Sequence, residues 1–210
     1  MIKTRENIYD TVLINENEAH IVGTITEGEV DGTWWVETKR LSGVIDTIRC
    51  KATDYIGKLE VGDKVEIFGK LRCYWDQLGL KPRLFLYVEA TSVTRVTDDR
   101  DDINAISICG YLNRDGYVRE TPLGRNIMDF FLTVQNSTLD NGRLVCDTIP
   151  CIAWGANAAR GRQFAKRDAY VKAIGRLQER HYQKQLKSGE AVEMMVHELS
   201  CSAVYYDTEE

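Results

Sequence analysis

The chain has 210 residues, 43% hydrophobic and 28% charged, with three prolines and a formal net charge of −5, the composition of a folded protein long enough for one large domain or two of roughly 100 residues. No apolar run approaches the roughly 18–20 residues needed to cross a membrane, and the N-terminal MIKTRENIYDTVLINENE lacks the apolar core of a signal peptide, so a cytoplasmic chain without membrane association is expected. Six cysteines with no C-x-x-C pair and three scattered histidines predict reduced thiols buried as small apolar side chains, and no metal site or cofactor.

In chain order, the first strand is HIVGTI (20–25), with Gly23 in its middle, followed by the alternating run WWVETKR (34–40). A tight hairpin through Leu41-Ser42-Gly43 leads to DTIRCKA (46–52), and ATDYIGKLEVG (52–62) stands where a short helix or loop is expected. Next come VGDKVEIFGKLRCYW (61–75) and the long terminal strand RLFLYVEATSV (83–93). The charge cluster TDDRDD (97–102) then reads as a solvated linker.

The second half repeats this order: ISICGYL (106–112) around Gly110, IMDFFLTV (127–134), DTIPCIAWG (147–155), KRDAYVKAIGRLQERHY (166–182) and AVEMMVHELSCSAV (191–204). It differs in a longer loop over Asn136–Gly142 and in a helix expected over 155–167. Two copies of one domain are therefore expected, 1–98 and 103–206. Charge divides unevenly between them: residues 1–102 hold 14 Lys/Arg against 19 Asp/Glu, and residues 103–210 hold 13 of each, so a basic face is easier to build in the second copy. Mid-strand glycines often mark barrel corners. The fold class expected is all-β, two tandem five-stranded OB-fold barrels, each with a short helix or loop between strands three and four; a five-stranded sandwich is the alternative.

The second half resembles bacterial single-stranded DNA-binding proteins. The similar features are Gly110-Tyr111-Leu112, TPLGRNIMDFFLTV (121–134), CIAWGANAA (151–159) and AYVKAIGRLQERHY (169–182), in family order; the first half looks like a diverged copy. The resemblance implies non-catalytic, largely sequence-independent binding of single-stranded DNA in replication, recombination or repair. It would work by stacking bases on aromatic side chains and neutralising phosphates with Lys and Arg. Carried over by position, Trp154 is the aromatic before the strand-three glycine, and Tyr182 follows Gly175 by seven residues with Arg176 and Arg180 beside it. In the first half Trp75 follows Gly69 by six residues and takes the part of Tyr182, flanked by Lys70 and Arg72. Arg114, Arg119, Arg125 and Arg143 form a candidate phosphate track.

Each of these has a plainer reading. A Trp closing an apolar strand is commonly core, and loop arginines commonly only solubilise. Trp34 and Trp35 point to opposite faces of one strand, so one is core and the other exposed. Asp46 and Asp147 recur without a nearby His or nucleophile and read as strand-end or turn residues. Because DTIRCKA stops short of Trp-Gly, the second domain is expected to be the stronger binder. The family also implies a homodimer, and partner replication or repair proteins recruited by a long acidic tail, of which AVYYDTEE carries only the acids. The alternative function is a tandem OB scaffold for protein interactions in a replication, conjugation or phage assembly. No nucleotide-binding, metalloprotease or serine-hydrolase motif supports an enzyme.

Overall fold

The computed structural model describes residues 16–30, 32–52, 58–77, 82–138, 144–185, 189 and 191–207. In the first half the strands are β1 (Asn17–Val30), β2 (Thr33–Lys39), β3 (Ile45–Lys51), β4 (Lys64–Asp76) and β5 (Arg83–Arg95). The second half has β6 (Ile103–Leu112), β7 (Tyr117–Glu120), β8 (Asn126–Thr138), β9 (Leu144–Trp154), helix α1 (Gly155–Phe164), β10 (Tyr170–Gln185) and β11 (Ala191–Tyr206).

Alternation along each strand sorts side chains between core and surface. On β2, Trp34, Val36 and Thr38 are buried; on β8, Met128, Phe130, Leu132 and Val134 are. Trp34 is therefore the core tryptophan of its pair, and Trp35 faces outward. Each fully buried aliphatic or aromatic side chain contributes about 1.5–3 kcal/mol of transfer free energy, and these stripes line the interiors of two small barrels. The first closes through β1–β2, β2–β3, β3–β5 (parallel), β5–β4 and β4–β1. The second repeats the circuit as β6–β8, β8–β9, β9–β11 (parallel), β11–β10 and β10–β6. This is the expected OB order, with one addition. The second half has a sixth strand, β7, lying outside β8, where the sequence pattern predicted five. Its four residues, YVRE, are too short to show a period.

The mid-strand glycines mark where a strand changes partner. Up to Val22, β1 pairs with β6 of the other half; from Thr24 it pairs with β2. A Cβ on Gly23 would lie 2.3 Å from the Glu37 carbonyl oxygen, and one on Gly110 2.5 Å from that of Thr133, so only glycine lets the backbones cross there.

The β1–β6 ladder joins the barrels into one eleven-stranded sheet. It pairs Asn17 with Ile108, Ala19 with Ile106 and Val22 with Ile103. Gly23 and Gly110 are equivalent, and the same offset carries Ala19 onto Ile106, its own ladder partner. The barrels are thus related by a pseudo-twofold axis through that pair. The axis repeats local detail: the Asn17 side chain accepts from the Leu71 N–H and donates to its carbonyl, and Asn104 does the same for Leu177. The linker is pinned to the first barrel, with Lys64 bridged to Asp102 and Arg100 to Glu66.

Two expectations are corrected. The loop over Asn136–Gly142 is shorter than predicted, because β8 runs to Thr138 and β9 begins at Leu144; residues 139–143 lie outside the described residues, as does the 53–57 stretch of the first half's helix-or-loop segment. Asp147 lies inside β9, neither in a turn nor at a strand end, whereas Asp46, the second residue of β3, is at a strand end as expected. Asp46 and Asp147 are 3% and 8% exposed, facing the seam between the barrels, where ion pairs hold them.

Candidate nucleic-acid interface

OB barrels present the outer face of strands two and three, with the loops at its ends, to ligands. Here those faces are β2–β3 and β8–β9. On the first, Trp35 lies directly across from Arg49 in the ladder. The Arg49 guanidinium sits 5.6 Å from the Trp35 ring centre and 4.4 Å from that of Phe85, and donates to the Tyr74 hydroxyl. Tyr74 stacks on Phe85 at 5.4 Å and meets Tyr87 edge-on at 5.9 Å. Among the described residues no carboxylate pairs with Arg49. Its charge is steered by aromatic faces instead.

The second barrel carries the matching arrangement. Phe131 stands at the position of Trp35, next to the buried Phe130 as Trp35 is next to Trp34, and Arg114 lies 4.5 Å above its ring. Pro150 replaces Arg49 in the ladder opposite Phe131. Trp154 ends β9 on the same outer face and is 41% exposed. Its backbone is still extended (φ −129°, ψ 155°) as the residue that caps α1, and Gly155 at φ 59° turns the chain into the helix, a conformation glycine adopts without the cost of a Cβ. The Trp-Gly pair therefore works as a hinge that leaves the indole in solvent.

The β4–β5 and β10–β11 hairpins project beyond the barrels. Trp75, at 58%, is the most exposed tryptophan. Tyr182 pairs with Met194 in the backbone register of the second hairpin, and its side chain lies outside those described. Gly69 and Gly175 are equivalent bulge positions, so counting from them aligns Trp75 with His181 rather than with Tyr182.

The expected cations separate into two groups. Lys70, Arg114 and Arg125 are exposed. Arg72, expected beside Trp75, is engaged by carboxylates: it bridges Asp147 of the other barrel at 2.6 Å and Glu89 at 2.7 Å. Burial opposes its charge, but those two partners outweigh burial and raise its pKa. Arg180 grips both oxygens of the buried Glu198, at 2.7 and 3.0 Å. Arg176 is half-buried, 3.9 Å from Asp46, and burial followed by the nearby Arg40 lowers its pKa. Arg119 is paired with Asp129, and Arg143 lies outside the described residues. The sequence reading missed Trp35, Arg49, Tyr74 and Phe131 as a set; the pairing Trp35–Arg49 is visible only once the β2–β3 register is known.

Comparison with known proteins follows the same division of the chain. Residues 103–204 match the model of the single-strand binding protein family. This segment is similar to that family. Its relatives include Single-stranded DNA-binding protein 1 of Lactococcus lactis, 34% identical over 84 residues covering 40% of this chain and 56% of the relative, and Single-stranded DNA-binding protein A of Bacillus subtilis, 32% identical over 84 residues and covering 49% of that protein. The chain thus spans about half the length of the curated relatives it matches. The fold is similar over its whole length to that of wild-type single-stranded DNA binding protein from Thermus aquaticus, with a TM-score of 0.65 at 18% identity, covering 93% of this chain and 94% of the other; a deletion variant of the same protein gives 0.67.

Proposed function

We propose that the chain binds single-stranded DNA without catalysis and without strong sequence preference, in the setting of cytoplasmic replication, recombination or repair. The observation that carries this reading is the pair of matching platforms, Trp35 with Arg49 and Phe131 with Arg114, on the outer faces that OB barrels use for ligands. Trp154 and Trp75 extend the two platforms. Each base stacked on such a ring contributes about 1–3 kcal/mol whatever its identity, because every base has a π-face. Lys70, Arg49, Arg114 and Arg125 are the cations open to phosphate. Both barrels contribute in this reading, because the first carries more exposed aromatics and the second carries the family's strand-three Trp-Gly.

A homodimer presenting four barrels is part of the reading. On the face of the sheet around the pseudo-twofold axis, exposed Phe68 stacks on His20 at 4.3 Å, beside a groove lined by Ala105, Ile106 and Ile174. An apolar patch on a twofold axis is self-complementary, which suits a second copy of the same chain.

Titration of tryptophan fluorescence with oligo-dT at low and moderate salt tests the binding. Three of the four tryptophans face outward and Trp34 does not, so deep but incomplete quenching that weakens with salt is expected. Absence of quenching at micromolar protein in low salt would exclude this reading in favour of a protein-interaction scaffold. Light scattering of the chain and of Phe68→Glu, which should halve the mass, tests the dimer.

A further inference from the structure

The pseudo-twofold axis makes the two buried aspartates equivalent, but their cations are not. Asp46 of the first barrel is held by Arg40 of its own barrel, through bonds of 2.6 and 2.5 Å, and Arg40 also reaches Gln178 of the second barrel at 3.5 Å. Asp147 of the second barrel is held by Arg72 of the first at 2.6 Å and by Asn136 of its own barrel at 2.7 Å. The axis carries Arg40 onto Asn136 and Arg72 onto Gln178. Each aspartate is therefore hydrogen-bonded to one arginine, and that arginine comes from the first barrel both times; Arg176 of the second barrel stands off Asp46 at 3.9 Å without a hydrogen bond.

We infer that this exchange makes the seam selective for unlike barrels: it fits the other half of the same chain and rejects a like half from a second copy. In a pair of two first barrels, each Asp46 would face both Arg40 and Arg72, with Glu89 still beside Arg72, so arginine is in excess there. In a pair of two second barrels, each Asp147 would face Asn136 and Gln178, keeping only the long contact that Arg176 makes with Asp46 here. A buried carboxylate left without its cation is strongly destabilising, so the pair of two second barrels is disfavoured, and with it any exchange of partners that must form one, whereas the unlike pair gives each aspartate a hydrogen-bonded arginine. Discrimination by unpaired charge in the wrong complex is a common route to specificity. The selectivity does not depend on what the outer faces bind.

The inference is tested in the full chain by moving the arginines without changing composition. Arg72→Gln with Gln178→Arg leaves Asp147 with two amides in the native pairing, and like barrels from different copies become the satisfied pairs. After refolding, this double variant should show a thermal midpoint lower by on the order of 5–10 °C. By light scattering it should form larger, concentration-dependent assemblies than the unaltered chain. Adding Arg40→Asn and Asn136→Arg completes the exchange and restores one arginine per aspartate in the unlike pair. The quadruple variant should recover the original mass and most of the lost midpoint, even if the double variant aggregates. A double variant indistinguishable from the unaltered chain, or a quadruple variant no better than the double, would overturn the inference.

Discussion

Trp35 and Phe131 stand at the same position of two barrels related by a pseudo-twofold axis, each with a guanidinium over its ring, yet the arginines come from different places. Arg49 reaches Trp35 from the neighbouring strand β3, and Arg114 reaches Phe131 from the turn after β6. The chain has kept the cation–aromatic pair while changing the residue that supplies it. If these platforms stack bases, Trp35→Ala and Phe131→Ala should each weaken oligo-dT binding by roughly 5- to 150-fold, the range that corresponds to ~1–3 kcal/mol. Fluorescence anisotropy of labelled oligo-dT measures it; unchanged affinity in both variants would remove these faces from the binding path.

The cations give a second, independent prediction. A Lys or Arg that neutralises a phosphate contributes about 0.7 to the slope of log K against log salt for single strands. Arg49 has no carboxylate partner among the described residues, whereas Arg180 grips both oxygens of Glu198. Arg49→Gln should therefore flatten the slope by about one such increment, and Arg180→Gln should leave it unchanged. The same flattening in both variants would mean that Glu198 releases Arg180 on binding.

Much of the fold was legible in the sequence because the repeat is written in backbone constraints. Gly23, Gly69, Gly110 and Gly175 recur in matching places because two backbones approach there, and DTI-x-C recurs because both copies fill strand three. The short strand β7 was not legible: four residues carry no period. The site was only partly legible. Aromatics in polar company, such as Trp75, signalled exposure correctly. Arg72 did not, because its partner Asp147 is 75 residues away and only the barrel-to-barrel seam brings them together. For the same reason Asp147 looked like a strand-end or turn residue until the seam placed it inside β9.

The bulge glycines make a stability prediction. A Cβ on Gly69 would lie 2.2 Å from the Glu89 carbonyl oxygen, and on Gly175 2.1 Å from that of Ser200. Backbone oxygens cannot swing away as a side-chain tip can, so each Ala substitution must force the two strands apart. Gly69→Ala and Gly175→Ala should each lose about 1–3 kcal/mol or more, read from urea unfolding. Gly43→Ala is the control, because nothing lies within 4 Å of its Cβ; its φ of 86° leaves only the smaller backbone strain.

Thiol reactivity separates the six cysteines by environment. Cys146 is exposed, while Cys50, Cys109, Cys151 and Cys201 are buried. Cys73 is half-buried, and burial, reinforced by the charge of Asp147, pushes its thiol from 9.0 up to about 11. Only the thiolate is alkylated, so at pH 8 iodoacetamide should modify Cys146 first and Cys73 slowly, with Cys73 accelerating as the pH approaches 11. The same shift bears on stability. A group whose pKa is raised by folding stabilises the native state fully below its unfolded value, and that contribution fades as pH rises through the folded value. Tyr170, raised by burial and then by Cys109 and Tyr111 to about 12, acts in the same direction. The urea midpoint should therefore hold below pH 9 and fall progressively between pH 9 and 12. Site-resolved mass spectrometry in which Cys73 is modified as fast as Cys146 at pH 8 would show that the hairpin carrying it opens away from Asp147.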